Sequence, residues 1–304
     1  MTDYAIKRGD EFNVGRYIHP STNSRFVLAL VAVVPIILWI SWISFKYPPF
    51  FAVLLFYVLF VGLLLWIGLE LMRAALIGNA VKVGPDNFPE ISNILRDVKK
   101  KIGYSKDVEI YIIEDGSINM IIYRFFSSKF IVIHSSFVES CEASKDYRDI
   151  EWAIARFVGY LKIKKDHYYP IVFEIMESIK NIPLINLLVL PYERCIIYSG
   201  DRIGLALCGE LEAAITGLGK LMIGKTLYGK VSSETFISQS RIVNSSFFAA
   251  VSRFFSGYPH MTDRYLNIMS FAKDSAPEHY HEFVLRHRID MKHLEDALSS
   301  RHGR

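Results

Sequence analysis

Residues 150–167 read I-E-W-A-I-A-R-F-V-G-Y-L-K-I-K-K-D-H. Ile150, Ile154, Phe157, Val158 and Leu161 recur at helical spacing, which predicts an amphipathic helix with an apolar stripe. Asp146 or Ser144 is placed to cap its start, and Asp149 favours the first turn. Lys162, Lys164 and Lys165 lie near its end, where the helix dipole favours cations. By pattern alone this is an ordinary core helix, and the rest of the chain arranges itself before and after it.

The chain has 304 residues, enough for a membrane anchor plus one domain or for two small domains. Apolar residues make up 51% and mean hydropathy is +0.24, so membrane segments are expected. The net charge of +4 suits a neighbour of anionic lipid and is too weak to argue for nucleic-acid binding. Cys141, Cys195 and Cys208 are scattered and odd in number, so neither a disulfide framework nor a C-x-x-C metal pair forms from neighbours. A reducing compartment is the simpler reading.

Residues 1–25 form a polar, mostly irregular N-terminal tail. Phe26–Phe45 is a run without a charge, broken only by Pro35, and Phe50–Leu69 is a second. Each is long enough to cross ~30 Å of hydrocarbon at roughly 1.5 Å per residue. Only Lys46-Tyr47-Pro48-Pro49 joins them, so residues 26–72 are expected to make a tight transmembrane hairpin. Trp39, Trp42 and Tyr47 lie near one end, as aromatic belts do. Lys7, Arg8, Arg16 and Arg25 precede the hairpin, Arg73 and Lys82 follow it, and the turn holds only Lys46. The positive-inside rule then places both termini in the cytoplasm, at an inner or plasma membrane.

Residues 80–272 read as one mixed domain and 275–304 as a His-rich helix and tail. After a linker from Val81, Ile91, Ile94, Leu95, Val98 and Ile102 stripe a helix that Gly103 ends. Val108, Ile110 and Ile112 alternate with Glu109 and Tyr111 in a strand, Glu114–Ser117 is a turn, and Met120–Tyr123 and Lys129–Ser135 are further strands. Ile171–Ile182 is amphipathic, and Pro183–Pro191 is apolar but too short to cross a bilayer, so surface contact with lipid is expected there. A helix from Tyr192 is expected to continue through Ala213, Ala214, Leu218 and Leu221. Ser275–Glu278 has the form of a capping box with Pro277 in the first turn, opening a final helix that runs to about Leu298.

The central helix resembles the active-site helix of the HtpX-like membrane zinc metallopeptidases, which carries H-E-x-x-H followed by Lys. Gly159, Leu161, Lys162 and Asp166-His167 keep that register, but the motif itself reads Arg156-Phe157-Val158-Gly159-Tyr160. A second resemblance is R-C-I-I-Y-S-G-D-R-I-G-L at 194–205, against the family's R-x-x-E-Y-S-A-D-R-x-G-L. Arg194, Tyr198, Ser199, Asp201, Arg202, Gly204 and Leu205 fit, while Ile197 stands where the family has its third zinc ligand. Asn119-Met120 matches an Asn-Ala dipeptide, and Pro259 and Arg264 match a late H-P-x-x-x-x-R segment. The resemblance covers roughly residues 70–270. It implies an α+β, mostly helical chain: a transmembrane hairpin followed by a zincin-like metallopeptidase domain with a small β-sheet.

Zinc hydrolysis on that scaffold needs two His one helical turn apart, a Glu between them as general base, and a carboxylate from the next helix. Arg156, Phe157, Tyr160 and Ile197 supply none of these: a guanidinium repels a cation, and phenyl and aliphatic groups have no lone pair. No metal and no cofactor are therefore expected, and the chain reads as a pseudoenzyme. Arg156 and Tyr160, with Asn119 and Arg202, are candidates to hold an anion or a peptide carboxylate in the cleft; alternatively Arg156 pairs with a buried acid such as Glu151 or Asp201. His134 reads as a hydrogen-bonded strand end, His167 as a helix-end cation, and Glu193 as solvent-facing or paired with a neighbour such as Arg194. His279 and His281 are the best remaining metal pair. The expected partners are the lipid bilayer and membrane or partner proteins, including a homo- or hetero-oligomer, and not nucleic acid. Two other functions stay open: a structural subunit of a larger membrane complex, and a hydrolase with an unorthodox site.

Overall fold

The computed structural model describes residues 12–114, 120–124, 129–165 and 183–302. Helix α1 spans Thr22–Lys46 and α2 spans Pro48–Asn79, with Tyr47 alone between them. Both extend past the charge-free runs because their polar flanks are helical too. Pro48 and Pro49 fall in the first turn of α2, where a missing N–H costs nothing. The two helices, of hydropathy 2.7 and 2.8, are long and apolar enough to cross a membrane. Leu76 is the one residue that α2 buries; Phe56, Leu59, Leu63 and Trp66 are exposed, an apolar surface far larger than a protein in water sustains. Helix α1 differs: its Thr22, Phe26, Ala29 and Val33 are buried against the domain. Upstream of it a 3-10 turn at Val14–Tyr17 docks with the Tyr17 ring edge-on to Phe271, and the His19 N–H donates to Ser199 Oγ at 2.8 Å.

The sheet is built from β1 (Val81–Lys82), β2 (Glu109–Ile113), β3 (Met120–Arg124) and β4 (Lys129–His134), in the order β1-β2-β4-β3. β2 and β4 are parallel, with Ile110 opposite Ile131 and Ile112 opposite Ile133; the outer strands pair antiparallel. Residues 81–82, expected as linker, are instead an edge strand, because Val83 N–H also reaches Ile110 O and extends the pairing. The strict alternation of side chains splits the sheet into two faces. Ile110, Ile112, Ile131 and Ile133 enter the main core, and Tyr111, Phe130 and Val132 form a second cluster covered by Leu76 of α2.

Helix α3 (Pro89–Ile102) buries Ile91, Val98 and Ile102, as its stripe predicts. After β4, α4 (Ser135–Ser144) leads to α5 (Arg148–Lys165), the expected central helix. Asp146 Oδ1 accepts the Arg148 N–H at 3.1 Å, and the Arg148 guanidinium folds back onto the same carboxylate. α5 is not one-sided. Trp152, Ala153, Ala155 and Ile163 are buried along with the predicted stripe, since α3, α4, α6 and α7 enclose it. Lys164, expected as a solvated charge at the helix end, is 5% exposed.

The apolar stretch before Tyr192 is the first part of a longer helix, α6 (Pro183–Cys208), which carries Pro191 inside it. α6 does not run on to Leu221: Gly209 adopts φ 72°, a left-handed conformation that ends the helix, and α7 (Leu211–Ile223) begins anew. A short turn, α8 (Lys225–Tyr228), then α9 (Ser233–Ser245), α10 (Phe247–Phe255) and α11 (Met261–Ser275) follow. The expected capping box is absent. Ser275 is the last residue of α11 and donates its hydroxyl to Phe271 O, while α12 (Pro277–Arg286) starts after Ala276 without a side-chain cap. The single terminal helix is also two, because Arg288 at φ 50° breaks it before α13 (Met291–His302). The expected turn at 115–117, Asn119, His167 and the amphipathic stretch Ile171–Ile182 lie outside the described residues.

Candidate functional site

α5 and α6 cross closely because glycines stand at the contact. A Cβ on Gly200 would come within 2.9 Å of Arg156 O, and one on Gly204 within 2.8 Å of Trp152 O. Only glycine admits that approach, and it places residues 156–160 of α5 against residues 193–204 of α6. Beside the crossing lies a cavity of about 190 Å³ lined by Arg156, Phe157 and Tyr160 of α5, Ile197 and Gly200 of α6, Met120 at the start of β3, and Tyr258 from the loop after α10. Arg156, Phe157, Tyr160 and Ile197, the positions singled out in the sequence, thus line one space.

Behind that space is a buried charge cluster. Arg264 of α11 grips Asp201, Nε to Oδ2 at 2.9 Å and Nη2 to Oδ1 at 2.7 Å, and both residues are fully buried. Arg156 Nε lies 3.3 Å from Asp201 Oδ1, so of the two acids weighed for it the partner is Asp201. Glu151 meets Lys101 instead. Arg156 Nη2 donates to Tyr258 Oη at 2.6 Å, and Arg264 Nη1 donates to the same oxygen at 2.9 Å. The Arg156 guanidinium also lies over the Phe157 ring, 4.3 Å from its centroid. Its Nη1 is buried with no hydrogen-bond partner among the described residues. Two guanidiniums therefore share one carboxylate. Burial, then repulsion from Arg264, holds the Arg156 pKa below the ordinary value. Burial opposes the Arg264 charge as well, but Asp201 outweighs it and raises that pKa.

A second pair flanks Tyr160. Lys164 Nζ reaches both Glu193 oxygens at 2.9 and 3.0 Å, and Tyr160 Oη donates to Glu193 Oε2 at 3.3 Å. Glu193 is 9% exposed, so of the alternatives open for it, facing water or pairing with Arg194 or a neighbour, it takes a paired one, with Lys164 in place of Arg194. Arg194 turns the other way and donates to the carbonyls of Arg253 and Ser256, each at 2.8 Å. Arg202 does not join the Arg156 cavity either. Its Nε donates to Asn267 Oδ1 at 3.1 Å, and it lines a separate cavity of about 320 Å³ with Arg25, Arg194 and Arg253. Opposite faces of α6 thus wall two cavities.

The described residues lining the smaller cavity do not fit zinc: they bring guanidinium, phenyl, aliphatic and thioether groups, and its phenols bind the arginines and Glu193. Among the described residues no group of three or more His, Cys, Asp or Glu side chains comes together. His134 accepts the Ser136 N–H through Nδ1, as a strand-end residue would. His287 meets Glu212 at 2.8 Å, His293 meets Glu234 at 3.0 Å, and His279 stands 4.0 Å from Glu282. Burial pushes the Cys141 thiol up to about 11 and the Cys208 thiol up to about 12, the opposite of what a nucleophile needs.

The sequence motifs pointed to α5 and α6 but not to Glu193, Lys164 or Tyr258. Lys164 and Glu193 each lie one helical turn from a motif position, Tyr160 and Ile197, and that spacing was the available signal. Compared with protein-family models, curated proteins and solved structures, the chain matches none.

Proposed function

We propose that this chain is a membrane-anchored, catalytically silent relative of the HtpX-like metallopeptidases, which holds membrane or partner proteins in a cleft that no longer cuts. One observation carries this reading: Arg156, Phe157, Tyr160 and Ile197, which the resemblance puts at the metal cage, converge on one cavity. Arg156 also carries a buried guanidinium nitrogen, Nη1, with no hydrogen-bond partner among the described residues. A peptide carboxylate or carbonyl supplies the acceptor that Arg156 lacks, and the surplus of cation over anion favours the carboxylate. The apolar hairpin anchors the domain in the bilayer, and the flanking cations put that domain on the cytoplasmic side of an inner or plasma membrane.

Co-purification from native membranes, with wild type beside Arg156→Met and a zinc determination on both, tests the reading. Partners recovered with wild type and lost with the variant are expected, without stoichiometric zinc. A stable assembly indifferent to Arg156 favours a structural subunit instead. Bound zinc with peptide cleavage that a chelator stops would sink the proposal.

A further inference from the structure

Helix α10 reads F-F-A-A-V-S-R-F-F, and Ser246 caps it by accepting the Ala249 N–H at 3.3 Å. Phe247, Phe248, Val251, Phe254 and Phe255 recur at i, i+1, i+4, i+7 and i+8, so they share one face. A helix of a protein in water turns such a stripe onto the core. α10 does the opposite. It buries no residue, and its four phenylalanines, in chain order, are 74%, 80%, 50% and 63% exposed. The other side holds Ala249 and Arg253, both half-buried, and Arg253 reaches inward to Asp263 at 3.0 Å. The helix therefore docks through its Arg253 side and leaves its apolar side bare.

What covers that side follows from where α10 is held. Phe26, the first residue of the apolar run of α1, packs on Tyr192 of α6 with ring centroids 5.3 Å apart. Two residues further on, Arg194 donates to the carbonyls of Arg253 and Ser256 and so fixes the end of α10. Arg25 and Arg253 also line one cavity. The end of α10 is thus held beside the point where α1 becomes charge-free, and Val27, Leu28 and Val31 of α1 are bare there too. Nine residues at roughly 1.5 Å each are too short to cross ~30 Å of hydrocarbon, so α10 suits the boundary of a bilayer and not its interior. Between Glu234 and Asp263 the chain carries no acid, while Arg241 and Arg253 fall in that interval. The segment brings no carboxylate to repel an anionic headgroup.

We propose that α10 is a third membrane contact, whose phenylalanine face enters the headgroup–acyl boundary of the bilayer that α1 and α2 span. The proposal rests on the reading of α1 and α2 as a membrane anchor. A bilayer is favoured over a protein partner because the anchor keeps lipid beside α10 at all times, at an effective concentration that no diffusing partner matches. Aromatic rings on one side and a cation on the other are the composition of interfacial helices. Held at both α1 and α10, the domain has a fixed stance on the membrane surface.

Site-specific labelling of the full chain in phosphatidylcholine vesicles tests this. Phe248→Cys and Phe255→Cys carry an environment-sensitive fluorophore, with Leu285→Cys on α12 as the water-exposed reference, since Leu285 is 77% exposed. Wild type labelled in parallel gives the background from the native thiols. A nitroxide near the top of the lipid acyl chain is expected to quench most of the emission at 248 and 255, set about 5–10 Å into the boundary, and to leave 285 bright. Iodide in the water should do the reverse. Iodide quenching at 248 and 255 as strong as at 285 overturns the proposal. Lipid quenching equal at all three positions does so too, because the dye and not the helix would then be seeking the bilayer. Shielding from iodide that vanishes when each vesicle holds a single chain makes a second copy the cover, and is equally fatal. Thermal unfolding of each labelled chain checks its fold, and the two positions, at opposite ends of α10, report independently. Carbonate washing of native membranes is the separate arm. Release of the wild-type chain sinks the anchor reading itself, whereas retention with labels at 248 and 255 open to iodide sinks only the α10 contact.

Discussion

Arg264 holds Asp201 through two hydrogen bonds in the fully buried interior, and that bidentate pair joins α11 to α6 behind the cleft. Removing the acid leaves two guanidiniums facing each other without a counter-charge. Asp201→Asn is therefore expected to lose about 3–5 kcal/mol of stability, the usual cost of breaking a buried ion pair. Thermal unfolding in detergent reads this; a variant that melts with wild type would show that Arg156 and Arg264 are not dependent on Asp201.

Arg156 is the weaker partner, with a single 3.3 Å approach to the acid and one nitrogen unsatisfied. An apolar side chain of similar length removes a buried charge and orphans nothing essential, since Arg264 still serves both Asp201 and Tyr258. Arg156→Met should be neutral or stabilising, by up to about 1–4 kcal/mol, while abolishing partner capture. A large drop in melting temperature would make Arg156 a structural residue and remove its binding role.

The α5–α6 crossing offers a steric test. Gly200→Ala puts a methyl group 2.9 Å from the Arg156 carbonyl, and backbone cannot rotate away as a side chain can. The expected cost is about 1–3 kcal/mol, as for other overpacked cores. The variant should also lose partners, because separating the helices displaces Arg156 and Tyr160 together. A melting curve and a co-purification run on the same sample check both.

Burial keeps the Cys141 and Cys208 thiols protonated through neutral and mildly alkaline conditions, with values pushed to about 11 and about 12. Their raised folded-state pKa means that their contribution to stability is complete below the ordinary thiol value of 9.0 and fades as pH climbs toward the folded values. Neither should react with a maleimide at pH 7.5 in the folded chain, and both should react in guanidinium. Rapid native labelling of Cys208 would revive a thiol nucleophile.

The sheet face formed by Tyr111, Phe130 and Val132 is covered by Leu76 of α2, and only Ala80 separates α2 from β1. A fragment beginning at residue 80 bares that face and should self-associate, whereas one beginning at residue 69 keeps the cover. Sedimentation of the two fragments compares them; equal behaviour as monomers would show that α2 contributes nothing to the domain.

Much of this architecture was readable from the chain. Uncharged apolar runs, the stripe of α3 and the alternation of β2 follow from local pattern, whereas a buried acid for Arg156 was legible only as Glu151 or Asp201, and the crossing of α5 and α6 decides for Asp201. The missed features depend on other things. The breaks at Gly209 and Arg288 are single left-handed residues inside otherwise helical composition. Lys164 and Glu193 look like solvated charges until α5 and α6 cross, and the crossing depends on glycines whose role is visible only in three dimensions. Arg202 was grouped with Arg156 because both lie in motif segments, yet it projects from the other side of α6.

That two-sidedness of α6 has a further consequence. Ile197 and Gly200 bound one hollow, Arg194 and Arg202 the other, and a single rigid rod separates them. Any occupant that tilts the rod on one side reshapes the opposite wall, and equilibrium thermodynamics then requires each guest to alter the grip on the other by the same factor. Filling either hollow would then be felt in the other with no contact between the two guests.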